Sequence, residues 1–161
     1  MSDASRDVSL SATMPATLRA TGFELVLHIE GYEFPQFDTG WDGNALCCLI
    51  DLRLERNGNS FHASHQPIIY TIELERFAQQ LQTLDRDRTG QATFQHGTDE
   101  IGLTLCLDSG KGTLEGFLAD SAGCRLSFEN IKIDRAFVHH TRTELEGLAG
   151  AYPVRGILEI D

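Results

Sequence analysis

The side chains able to do chemistry are plentiful in this sequence but poorly grouped. His62 and His65 stand three apart, and His139 and His140 are adjacent. On a strand either spacing sends the two rings to opposite faces, which is awkward for a shared metal ion. Cys47, Cys48, Cys106 and Cys124 form no CxxC pair, so neither a zinc ribbon nor a redox motif is encoded. They read as free buried thiols of a reducing compartment. Neither Cys48 nor Cys106 has a readable base beside it to make it a nucleophile. Gly110-Lys111-Gly112 is too short for a phosphate loop, and a hairpin turn accounts for it. Asp85 and Asp87 lie in a charged, turn-like stretch and read as solvated rather than catalytic. The expectation is no catalytic residue, no metal and no cofactor.

Trp41-Asp42-Gly43-Asn44 carries more information. It holds the only tryptophan and lies between an aromatic-proline corner, Gly31-Tyr32-Glu33-Phe34-Pro35, and the longest apolar run. An aromatic beside Asp and Asn on a loop is how an interface anchor looks. The structural alternative has Trp41 packing over a sheet edge, with Asp42 and Asn44 bonding nearby backbone amides.

The elements that must position these residues are legible from hydrophobic period. Phe23 to Glu30 alternates as a half-buried strand, and Gly31 to Asn44 reads as a loop. Ala45 to Arg56 follows as a strand whose first half is apolar on both faces, which suggests a central place. Asn57-Gly58-Asn59 is a tight turn, and Ser60 to Ser64 returns antiparallel. From Thr71, the expected N-cap, Leu74, Phe77, Ala78, Leu81 and Leu84 recur at helical spacing. Gln91–Gln95, Ile101–Asp108, Thr113–Ala119 and a strand from Cys124 form a meander. Leu126 and Phe128 share one parity, Ile131 and Ile133 the other, so a bulge is expected near Glu129-Asn130. A second helix is expected from Thr141 or Thr143, each three residues before a glutamate in a capping-box pattern. Gly150 and Pro153 end it, and the tail Val154 to Asp161 adds a short strand or none.

The expected architecture is α+β: a curved antiparallel sheet, built of a hairpin and a four-stranded meander, with two amphipathic helices, one packed on the sheet. A chain of 161 residues, 41% apolar and 23% charged, is one globular domain over 1–161, with residues 1–16 expected as a mobile segment or an edge element. Its net charge of −11, from 24 acidic against 13 basic residues, argues against direct nucleic-acid or membrane-surface binding and suits a basic protein partner. The N-terminus lacks an apolar core segment and no stretch approaches membrane length, so cytoplasmic residence is expected.

Several short pieces recur in order from about Phe23 to Arg155: Gly31-Tyr32-Glu33-Phe34-Pro35, then Trp41-Asp42-x-Asn44-x-Leu46. Glu73-Leu74 with Phe77 and Leu81 follows, and Leu145…Leu148…Tyr152-Pro153-x-Arg155 closes the set. In these the chain resembles the WapI family of bacterial immunity proteins, cytoplasmic chains paired with contact-dependent toxins. One departure is Ala45, where the family often carries an aromatic directly before the leucine. The resemblance implies a non-catalytic protein that occupies and neutralises a cognate toxin domain, such as a nuclease with a basic cleft. Asp38, Trp41, Asp42, Asn44, Glu75, Asp85 and Asp87 are the contact candidates. Two other classes stay open. One is a small-ligand binder or enzyme using a helix-sheet pocket, with His28, His62 or His140 as the acid-base group. The other is a subunit that acts through self-association, as a homo-oligomer.

Overall fold

Period-two alternation and short polar turns dominate the chain, and the computed structural model, which describes residues 14–156, turns them into two antiparallel sheets. The first contains β1 (Ala16–Ala20), β2 (Phe23–Tyr32), β3 (Ala45–Arg56) and β4 (Asn59–His65), paired in that order. A short β5 (Ile68–Tyr70) pairs with the start of β3. The second sheet is the meander β6 (Gly90–Gln95), β7 (Ile101–Asp108), β8 (Lys111–Ala119) and β9 (Arg125–Asp134). A one-turn helix α1 (Gly40–Gly43) precedes β3, α2 (Thr71–Asp87) joins the two sheets, and α3 (Arg135–Ala151) follows β9. The architecture is α+β, and the sheets do not close into a barrel.

The central place expected for β3 is observed: it pairs with β2 on one side and with β4 and β5 on the other. The bulge in β9 also falls where the parity change put it. Leu114 faces Ile131 and Gly116 faces Phe128, so Glu129 and Asn130 oppose Glu115 alone. Asn130 takes the left-handed conformation (φ 58°) that the extra residue requires. The slip lets Phe128, Ile131 and Ile133 all reach the core.

One apolar cluster spans both sheets and both long helices. Phe23 and Phe128 bring the sheets together with ring centroids 5.2 Å apart, and Phe77 joins α2 to Phe94 of β6 at 5.5 Å. Burying a leucine as fully as Leu52, Leu81 or Leu114 contributes roughly 2 kcal/mol each.

Several expectations need correction. Residues 1–13 lie outside the described part; of the two expectations for this segment, Ala16 meets the edge element, since it opens the edge strand β1, where Ala16 and Leu18 are buried against β2. The loop expected from Gly31 starts later, at Glu33, and contains α1. Helix α2 is capped at Tyr70, not Thr71, and it continues through Asp85, where a turn was expected. Helix α3 begins well before Thr141. Asp134 is its N-cap, with its carboxylate accepting the Phe137 N–H at 2.9 Å. That cap was hidden because β9 runs straight into the helix with no polar linker. Thr143 lies inside α3 and donates to the His139 carbonyl (3.0 Å) instead of capping anything. Residues 157–161 of the tail are outside the described part, and 154–156 are irregular. Of the four free thiols only Cys48 is buried; Cys47 and Cys106 are half-buried and Cys124 is exposed.

Candidate functional site

The stretch between β2 and β3 is a loop held from behind. Asn44 is fully buried, and its side-chain amide donates to the Gly40 carbonyl (2.7 Å) and the Arg155 carbonyl (2.8 Å). Its Oδ1 accepts from the Thr71 hydroxyl (2.6 Å) and from the Arg155 N–H (2.7 Å). The Arg155 guanidinium donates to the carbonyls of Gly43 (2.9 Å) and Phe37, and lies 3.8 Å over the Tyr32 ring. The Tyr32 hydroxyl in turn donates to the Pro153 carbonyl (3.3 Å). Gly40 sits at φ 70°, which a residue with a Cβ adopts only at a cost of about 1 kcal/mol. Residues separated by more than a hundred positions thus fix the path of Glu33–Asn44.

What the brace presents outward is aromatic and acidic. Phe37 and Trp41 are 46% and 47% exposed, beside the exposed carboxylates Asp38 and Asp42. Trp41 meets Tyr70 edge-on at 5.1 Å, and Tyr70 lies 6.4 Å from the His96 ring. Together with Glu73, Arg76 and Asp99 they line a cleft of about 620 Å3 between α2 and the end of β6. Its floor is a carboxylate-imidazole pair. Glu73 accepts the Tyr70 N–H (2.9 Å), the His96 Nδ1–H (3.1 Å) and the Gly97 N–H (3.3 Å), fastening the start of α2 to the end of β6. His96 is buried, and its Nε2 faces Glu100 Oε2 at 3.6 Å. The Glu73 hydrogen bond raises the His96 pKa above its ordinary 6.5, against the opposing effect of burial.

The seven candidates read from the sequence do not form one face. Asp38, Trp41 and Asp42 share the braced loop. Asn44 shares the loop but is internal, so it holds the surface in place rather than forming it. Glu75 is half-buried on α2 and accepts from Gln79 (3.3 Å). Asp87, paired with Arg86 at 2.8 Å, lies at the far end of α2, about 25 Å along the helix from Tyr70. Asp85, read as solvated, is in fact buried: Arg135 (3.2 Å), His139 (2.8 Å) and Arg142 (2.8 Å) of α3 close on its carboxylate. Burial alone would raise the Asp85 pKa. The hydrogen bonds from His139, Arg142 and Arg135 outweigh it and hold the carboxyl below the usual range.

The three candidate acid-base histidines are scattered. His28 is half-buried on β2, His62 lies 3.7 Å from Asp51 on the outer face of β4, and His140 lies 3.3 Å from Glu144 on α3. His96, the one buried histidine, was not singled out, although it continues the inward parity of Ala92 and Phe94. Among the described residues no three His, Cys, Asp or Glu side chains are grouped to hold a metal ion. No described helix is long and apolar enough to cross a membrane.

Two antiparallel sheets, two long helices and a braced loop with half-exposed aromatics define a small α+β chain. Its sequence matches the model of the immunity protein WapI-like family over residues 17–153, and the chain belongs to that family. No curated protein and no solved structure matches it. The motif pieces that carry the likeness meet in space, since Tyr32, Asn44, Pro153 and Arg155 are the parts of the brace.

Proposed function

We propose that this protein is a non-catalytic inhibitor that neutralises a cognate toxin domain through the braced loop, with Trp41 as the central anchor and Phe37, Asp38 and Asp42 around it. The observation that carries the reading, beside family membership, is the pairing of a half-exposed tryptophan with a rigid internal support. A preorganised aromatic anchor pays no ordering entropy on binding, and such anchors dominate interface energetics. The toxin surface it fits is basic, as a nuclease cleft is. A chain of net charge −11 would approach that surface quickly, and its carboxylates would stand where phosphate otherwise lies. Asp87 and Glu75 belong to the wider acidic field rather than to the contact. The protein acts in the cytoplasm, where the toxin's substrate is, and needs no cofactor.

The test is co-expression with the toxin domain encoded beside this gene. The wild-type chain is expected to restore growth and to co-purify with the toxin. Trp41→Ala, folded by circular dichroism, is expected to lose both. A chain that rescues no neighbouring toxin and captures none defeats the proposal.

A second reading, a small ligand in the cleft between α2 and β6, is favoured by one observation: His96 Nε2 is buried, and its ion-pair neighbour Glu100 Oε2, 3.6 Å away, lies beyond hydrogen-bond distance. A thermal-shift screen of metabolites and metal ions against wild type and His96→Gln checks it, with a His96-dependent stabilisation as the expected signal.

A further inference from the structure

Among the described residues, strand β4 pairs with β3 alone and leaves its other edge uncovered. The turn Asn57-Gly58 is a two-residue connection with both φ values positive (51° and 76°), so the flanking pair Arg56:Asn59 is hydrogen-bonded. Alternation then makes Leu54:Phe61, Leu52:Ala63 and Ile50:His65 the hydrogen-bonded pairs as well. The main-chain N–H and C=O groups of Ser60, His62 and Ser64 therefore point away from β3. Among the described residues no backbone bond is made on that side. Exposed edges are ordinarily blunted by charge, proline or a bulge. Here a chain that is 23% charged puts no Lys, Arg, Asp, Glu or Pro into the seven residues Asn59–His65.

The inner face of the same strand is unfinished. Phe61 shares the core-facing side with Leu54 yet is 52% exposed. With Ala63, Leu118 and Leu126 it lines an open groove of about 320 Å3 where the two sheets part. The segment Ser60-Phe61-His62-Ala63-Ser64 is nearly palindromic about His62. Laid antiparallel on a copy of itself about that residue, Ser60 meets Ser64, His62 meets His62, and each of these pairs exchanges two main-chain bonds. Phe61 then falls directly opposite Ala63, in the non-hydrogen-bonded position where side chains approach closest. A large ring faces a methyl group twice, and each ring covers the other copy's groove. The His62 ring is engaged with Asp51 of its own sheet at 3.7 Å.

We infer that β4 pairs with β4 of a second copy across a two-fold axis through His62, joining two five-stranded sheets into one. The interface is isologous, as two-fold dimers require. It leaves the braced loop free, because Trp41 stands by the first residues of β3 and Phe61 by the last. The inference does not depend on the toxin-binding proposal.

The test is the molar mass of the purified full chain by light scattering and sedimentation across micromolar to millimolar concentration. Wild type is expected to run as two chains. His62→Pro removes an outward N–H and no bond to β3, and Phe61→Lys places a charge in the seam. Each is expected to run as one chain with an unchanged circular-dichroism spectrum. Should one variant fail to fold, the other decides. A wild-type chain that is monomeric throughout, or a dimer that survives both substitutions, overturns the inference.

Discussion

The two ends of helix α2 solve the same problem with different chemistry. At its start a neutral amide, Asn44, and one carboxylate, Glu73, tie the helix to the loop, the C-terminal segment and β6. At its finish a buried carboxylate, Asp85, gathers two arginines and a histidine from α3. The Asn44 hydrogen bonds are short-ranged and directional, so they fix the position of a surface. The ionic junction is strong only while its carboxylate is ionised. The contrast separates a device that presents a surface from one that holds two helices together.

The largest effect should come from the Asn44 end. Asn44→Ala orphans the buried Thr71 hydroxyl and the main-chain groups of Gly40 and Arg155, at a cost of about 3 kcal/mol. Urea unfolding should show the loss, and Trp41 fluorescence should shift as its support slackens. If stability and emission are both unchanged, the brace is not what orders the loop. Asp85→Asn should cost about 2 kcal/mol, less than a sealed ion pair would, because Arg135 and His139 are half-exposed and can rehydrate. Its contribution has a defined sign with pH. The folded pKa lies below the ordinary 3.8, so the stabilisation is complete above 3.8 and is lost as pH falls through the folded value. Acid denaturation of wild type and Asp85→Asn should therefore converge at low pH.

His96 at the opposite end should behave inversely. Its folded pKa lies above 6.5, so its pairing with Glu73 stabilises fully below 6.5 and fades as pH rises through the raised value. His96→Gln should cost about 1 kcal/mol near pH 6 and less at pH 9, by thermal unfolding at each pH. The smallest effect on stability belongs to Trp41→Ala, within about 1 kcal/mol because the ring is already half in water. Its effect on toxin neutralisation should be the largest of all. A variant that lost stability but kept neutralisation would reverse the division of labour between the two ends.

The fold was largely legible because its strands are half-buried and alternate cleanly, and because turns such as Asn57-Gly58 have few other uses. The bulge at Glu129-Asn130 was legible for the same reason, since a parity change in a buried strand has one remedy. Strand β1 was missed because Ala16 to Ala20 is short, small and set in a Ser/Ala/Thr-rich stretch. The start of α3 was missed because Asp134 serves as both strand end and helix cap. Of the site, Trp41 and its loop could be read from composition, but the burial of Asn44 and Asp85 could not. Their partners, Arg155, Arg135, His139 and Arg142, lie 50 or more positions away, and no local pattern distinguishes a solvated Asp from one enclosed by a later helix.

The thiols have a practical use. Cys47, pushed up to about 11 by partial burial and by its carboxylate neighbour Glu33, and Cys48, pushed by burial up to about 12, hold almost no thiolate near neutrality. Cys124 is exposed on the rim of the groove beside Phe61. A maleimide dye added to the unaltered chain should label Cys124 ahead of those two. With the half-buried Cys106 replaced by Ser, its brightness would then report whether anything sits against β4.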